Sequence, residues 1–265
     1  MRVGDIECLI QVKGEMALNE YGLQRSADGR TCMAWIPARI DQEFSIVYHD
    51  PKLMRVTGSY PRIDGAQYKG HMLKKGENLC VQKYMRTGPQ ELRRLKFGAL
   101  RLTDDDDTYL LCGQRDFGEI SVEIWRCELR PECKKVPNSY TVPPPTLAHE
   151  RAKKALAHAV TFGAPILYPA SRHQHIVRVG DAPIASFVFR YRSINMLRAF
   201  GIAPSPSKYP VALPKVDPAR PIVDHMRKAL EEVDPRCVKT EAVEVAAAMD
   251  HVSYATEGQK WRLIM

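Results

Sequence analysis

The stretch Phe187-Val188-Phe189-Arg190-Tyr191-Arg192-Ser193, running into Ile194-Asn195-Met196-Leu197-Arg198-Ala199-Phe200-Gly201-Ile202, constrains the fold more than any other part of the chain. Its first half alternates apolar and basic residues with the period of two that a half-buried β-strand requires. Its second half opens on a serine, continues with helical spacing and stops at a glycine, the signals of a short capped helix. A strand-to-helix corner is therefore expected at Ser193. On such a strand Phe187, Phe189 and Tyr191 face the core, while Arg190 and Arg192 share the other face with Val188. Two guanidiniums so placed stand about 7 Å apart, a separation that bridges neighbouring phosphates or grips a carboxylate. The competing expectation is that they pair with Glu119, Glu123 or the run Asp104-Asp105-Asp106-Asp107, with little net stability gained where such pairs are exposed.

Other segments alternate in the same way: Cys8-Leu9-Ile10-Gln11-Val12, Thr31-Cys32-Met33-Ala34-Trp35-Ile36 before Pro37, and residues 44–49. Asp64-Gly65, between Tyr60-Pro61-Arg62-Ile63 and Ala66-Gln67-Tyr68-Lys69, predicts a hairpin turn, because such turns need positive φ at both central residues. In residues 120–129 the apolar phase moves from even to odd positions at Ile124-Trp125. A bulge or burial on both faces is expected there, since a one-residue slip turns every later side chain over.

The first 145 residues hold no crossover helices of the kind a parallel sheet needs. The fold class expected is thus mainly β, an antiparallel β-sandwich-like domain with one packed helix and a C-terminal helical extension. The helix is expected over residues 146–160, where alanine and leucine supply propensity, and Phe162-Gly163 would end it. Asp104 to Asp107 after Thr103 reads as a helix start. Residues 1–202 form the expected domain. Residues 203–221, with prolines 204, 206, 210, 214, 218 and 221, form a linker, and residues 222–265 form the helical extension.

The chain carries a formal net charge of +8, unevenly distributed. Residues 149–202 hold eight Lys/Arg against two acids, residues 74–101 also eight against two, and residues 203–265 nine against nine. Two basic segments in a neutral frame offer a footprint for nucleic acid or an acidic protein; the alternative is a solvated surface. No apolar run reaches the ~18 residues of a membrane span, and the first residues, with Asp5 and Glu7, lack the apolar core of a signal peptide. An intracellular protein is expected. Its seven scattered cysteines agree, reading as reduced thiols rather than a disulfide frame.

Taken together, the motifs resemble a family of uncharacterised proteins from mushroom-forming fungi, classed as a domain of unknown function. The resemblance rests on Trp35-Ile36-Pro37, Leu102-Thr103-Asp104-Asp105-Asp106, Gly118-Glu119-Ile120 and Ile124-Trp125-Arg126. It continues through His149-Glu150-Arg151-Ala152-Lys153-Lys154, His158, Phe162-Gly163 and the corner up to Gly201-Ile202-Ala203-Pro204. It spans roughly residues 4 to 204, and relatives usually have serine where Ala152 stands. It implies a shared fold; no activity, cofactor or catalytic residue comes with it.

Sequence motifs for chemistry are sparse. There is no Gly-x-Ser-x-Gly elbow, phosphate loop or dinucleotide fingerprint. His149, His158, His173 and His175 cluster without zinc-ligand spacing. Cys127 and Cys133 match no common site, and the four aspartates lack the spacing, glycine and glutamate of a calcium loop. No cofactor, metal site or catalytic residue is therefore expected, although a site assembled from distant residues would leave no linear trace. The reading is a non-enzymatic binding or protein-interaction module. Its candidate surface comprises Arg151, Lys153 and Lys154, then Arg190, Arg192 and Arg198, then Lys74, Lys75, Arg93 and Arg94. A protein is the expected partner. Nucleic-acid binding through the basic segments is the alternative, and self-association would use residues 222–265.

Overall fold

The computed structural model describes residues 1–12, 17–52, 55–103, 117–129, 136–137, 140–143, 147–149, 157–168, 172–173 and 176–205. All of them fall in the first, Met1–Pro206, of two units into which the chain divides. The strands begin with β1 (Arg2–Val3), β2 (Ile6–Val12), β3 (Tyr21–Arg25), β4 (Thr31–Pro37), β5 (Glu43–His49), β6 (Thr57–Ile63) and β7 (Ala66–Gln67). Next come β8 (Met72–Leu73), β9 (Leu79–Gln82), β10 (Tyr84–Gly88), β11 (Glu91–Ala99), β12 (Arg101–Thr103) and β13 (Glu119–Leu129). The last are β14 (Val136–Pro137), β15 (Leu147–His149), β16 (His158–Phe162), β17 (Ile166–Leu167), β18 (Arg172–His173), β19 (Ile176–Val179) and β20 (Ala185–Arg192), followed by helix α1 (Ile194–Ala199).

Two sheets result. The first runs β1-β2-β5-β11-β10, with β16 and β17 also on β11 and β9 on β5. The second runs β3-β4-β20-β13-β6-β7, with β19 on β13 and β8 on β6. Alternation fills the space between them. Ile6, Cys8 and Ile10 of β2, Phe44 and Ile46 of β5, and Leu95 and Phe97 of β11 join Ile36, Ile120, Val122, Phe187, Phe189 and Tyr191 in one buried cluster. Phe97 of the first sheet lies 5.2 Å from Tyr191 of the second, centroid to centroid. The protein is therefore mainly β, with two layers sharing one core. Pairing is antiparallel, as expected, apart from β4 with β20 and the short β12 with β15, which are parallel; the second sheet is mixed at that one pair.

The helix expected over residues 146–160 is corrected at both described ends. Residues 147–149 form β15, and residues 158–162 form β16, antiparallel to β11 with Ala159 opposite Gly98. Alanine-rich composition is a weak prior that tertiary pairing overrides. Gly98 gives a specific reason: a Cβ there would sit 2.4 Å from Cγ2 of Thr161, so the bare glycine is what lets β16 lie close. The helix found among the described residues is α1, the corner read at Ser193. Ser193 accepts a hydrogen bond from the Met196 N–H at 3.3 Å, and Gly201 ends the turn at φ +68°. The aspartate run and the expected linker and C-terminal helices lie outside the described residues, apart from residues 203–205.

The Asp64-Gly65 turn forms as expected, with φ of +47° and +79° joining β6 to β7. The phase change at Trp125 resolves as burial on both faces. β13 pairs with β6 without a register break from Ile120 to Arg126. Ile120, Val122 and Ile124 face the core, whereas Cys127 follows Trp125 on the outer side and is buried there too.

Candidate binding face

The outer face of the second sheet is assembled from residues that alternate with the core. Register sets Trp35 of β4 beside Arg190 of β20, and Arg190 beside Glu119 of β13. The Arg190 Nε lies 3.3 Å from a Glu119 carboxylate oxygen. The guanidinium carbons of Arg190 and Arg192 sit 5.7 and 5.3 Å from the Trp35 ring centre, within cation–π range. Arg192 is anchored further, donating to the carbonyls of Gly118 at 3.1 Å and Tyr191 at 2.7 Å. Burial pushes its pKa down from the usual arginine range.

A second cluster occupies the other end of the same face. The Arg178 guanidinium of β19 lies 3.9 Å from the Tyr60 ring centre and 5.1 Å from that of Trp125. The Trp125 indole donates to Glu123 at 2.9 Å, and the Tyr60 hydroxyl meets the Cys127 sulfur at 3.8 Å. Burial raises both the Cys127 thiol and the Tyr60 phenol, and Cys127 is packed out of solvent.

The other candidate residues do not gather here. Lys74 and Lys75 are exposed in the turn between β8 and β9. Arg93 pairs with Glu91 at 2.5 Å. Arg94 pairs with Glu43 at 3.5 Å and lies over Tyr84, on the outer side of the first sheet because it alternates with buried Leu95. Arg94 of one basic segment and Arg190 of the other thus lie on the outer sides of different sheets. Arg198 is on α1, its Nε donating to the Pro204 carbonyl. Arg151, Lys153 and Lys154 lie outside the described residues, as do His175 and Cys133. Sequence reasoning missed Trp35, Tyr60, Trp125 and Arg178 as parts of a surface. The alternation of residues 31–37 carried the signal for Trp35, but only the register of distant strands brings the rest together.

The most perturbed carboxylate lies in the core. Asp64 Oδ1 accepts from the Tyr191 hydroxyl at 2.5 Å and the Gly118 N–H at 2.8 Å, and Oδ2 accepts from the Val160 N–H at 2.7 Å. Its own N–H donates to the Glu119 carbonyl at 3.0 Å. One side chain so connects the β6–β7 turn, the entry to β13, β16 of the first sheet and β20 of the second. Asp64 is 5% and Tyr191 0% exposed, so the pair is a tertiary fastening closed to substrate. Buried His158 lies nearby in β16, not on a helix; burial, then the Arg192 charge, lowers its pKa.

Burial raises Asp64 from 3.8 to about 6, against the opposing pull of its hydrogen bonds. Between those values the folded protein holds a proton that the unfolded chain gives up. This contribution to stability is therefore complete below about pH 4, declines as pH rises to about 6 and is lost above that. The gap is worth about 3 kcal/mol. Urea unfolding of the parent and Asp64→Asn from pH 4 to 8 should show their stability difference moving by that amount in that direction; a difference independent of pH would refute it.

Among the described residues four cysteines, Cys8, Cys32, Cys80 and Cys127, are free and buried. No group of three or more His, Cys, Asp or Glu there is arranged to hold a metal ion, and no described helix is long and apolar enough to cross a membrane. A family model, "Domain of unknown function (DUF7918)", matches residues 5–206. No curated protein and no solved structure matches the chain.

Proposed function

The chain belongs to this family of unknown function, and we propose from its own geometry that it is a non-enzymatic, intracellular module that binds a protein through the outer face of the second sheet. The observation that carries this reading is Trp35 held between strands beside Arg190 and Arg192. Tryptophan, tyrosine and arginine are the residues that dominate interface energetics. Here the stacking and the Arg190–Glu119 contact hold them in place before a partner arrives, which reduces the ordering cost of association. Glu119 and Glu123 interleave with the arginines, and Arg94 faces the opposite way. Both features favour a protein surface of mixed charge over a phosphate backbone. Buried free thiols agree with a reducing compartment.

The test is a photo-crosslinking amino acid at Val188, in the centre of this face, with Ser45 on the outer side of the first sheet as control. Crosslinks to a discrete protein from position 188 alone are expected. Crosslinks to nucleic acid, or equal yields from both positions, would overturn the reading. Arg190→Glu in the same background should lower the yield about tenfold or more. Because its ion pair is partly exposed, that change should move unfolding free energy by no more than about 1 kcal/mol.

A further inference from the structure

Two recesses share a wall at the end of the sandwich where the chain crosses from the second sheet to the first. One, of about 460 Å³, is lined by residues including Val12, Ile40, Asp41 and Lys96, and the other, of about 500 Å³, by residues including Leu18, Pro37, Ile194 and Arg198. Arg39 and Gln42 line both, so the two form one groove. The crossing segment is firmly held. The Ala38 N–H donates to the Arg192 carbonyl at 2.8 Å, the Asp41 N–H to the Phe97 carbonyl at 2.8 Å, and the Phe97 N–H to the Gln42 carbonyl at 3.0 Å. Its backbone is bonded to both sheets.

The charges in this groove do not cancel. Asp41 is paired with Lys96 at 2.7 Å, and Glu43 with Arg94 at 3.5 Å. Among the described residues Arg39, which is exposed, makes no ion pair, and the Arg198 guanidinium reaches the Pro204 carbonyl but no carboxylate. Two guanidiniums are left facing an apolar wall of Leu18, Pro37, Ile40 and Ile194, of which Ile40 is 53% exposed. The Gln42 Oε1 is out of solvent and has no donor. An unpaired buried acceptor is costly, and turning the amide outward onto a ligand N–H removes that cost.

We infer that this groove binds an extended acidic peptide in which carboxylates alternate with apolar side chains. Arg39 and Arg198 take the carboxylates in charge-assisted hydrogen bonds, the wall takes the apolar side chains, and Gln42 accepts from the peptide backbone. The apolar lining disfavours a nucleic-acid strand, which would leave it uncovered. This site is separate from the sheet face and stands or falls independently of it.

The test is fluorescence polarisation on the full chain with a labelled peptide of four Leu-Glu repeats, a four-repeat Leu-Lys peptide as counterpart and an eight-residue oligothymidylate as competitor. Saturable binding of the Leu-Glu peptide alone is expected. Arg39→Glu and Arg198→Glu should each weaken it about tenfold or more, and Arg62→Glu, on the outer sheet face, should leave it unchanged. Arg39 is exposed and has no ion pair to lose among the described residues, so its variant should keep the parent's unfolding midpoint. No saturable binding, equal binding of the Leu-Lys peptide, efficient displacement by the oligonucleotide, or indifference to Arg39→Glu would each overturn the inference.

Discussion

Asp64→Ala will lower the free energy of unfolding by about 3–5 kcal/mol, the largest effect expected of any single polar substitution in this domain. The carboxylate is the acceptor for the Tyr191 hydroxyl and the N–H groups of Gly118 and Val160. Each donor left unpaired in the core costs about 1–3 kcal/mol. Alanine also lacks the side chain that makes the left-handed backbone at position 64, φ +47°, tolerable in a turn. Relief of the buried charge offsets part of the sum, which is why the expected loss stays below the total of the three donors. Tyr191→Phe removes one of the three bonds and should cost about 1–2 kcal/mol. The double variant should cost less than the two added together, because both delete the same bond. Equilibrium denaturation of the three variants decides it: a loss under about 1 kcal/mol for Asp64→Ala would mean the carboxylate fastens nothing.

Phe97→Ala should cost a similar amount, about 3–5 kcal/mol. The ring is fully buried, stacks on Phe44 at 4.3 Å between centroids, and meets Tyr191 across the sheet interface at 5.2 Å. Its removal opens a cavity at the contact that joins the two layers, and the surrounding strands, fixed by their ladders, cannot close it. A fall in thermal midpoint of about 10 °C is expected for a unit of this size. Phe97→Leu keeps most of the volume and should cost about 1–2 kcal/mol. Equal losses for alanine and leucine would show that packing volume is not what Phe97 contributes.

Much of the strand content was legible because alternation is local. The eight residues of β20 carry their own periodicity, as do β2 and β4, and Ser193 and Gly201 mark the corner in plain terms. The described ends of the helix expected over residues 146–160 are strand because alanine and leucine speak to local preference, whereas Gly98, the pairing partner of Ala159, lies about sixty residues away. Asp64 shows the same limit from the other side. An Asp-Gly turn is legible, but the identical dipeptide serves on the surface or in a core. Only the need of buried Tyr191 for a hydroxyl partner hinted that some carboxylate or carbonyl must meet it. The arginine–aromatic face was half legible: Arg190 and Arg192 were placed by alternation. Trp35, Tyr60, Trp125 and Arg178 come from four separate strands, and no spacing along the chain connects them.

The position of β20 has a consequence for how the chain matures. Its residues, 185–192, insert between β4 and β13, so during synthesis the middle of that layer stays open until Arg192 has left the ribosome. Two half-layers with unsatisfied backbone edges must wait for a late arrival, the situation in which nascent chains are slow to fold and prone to stick to one another. Stalling translation just short of that point should yield a species held by chaperones, and release of a few more residues should free it.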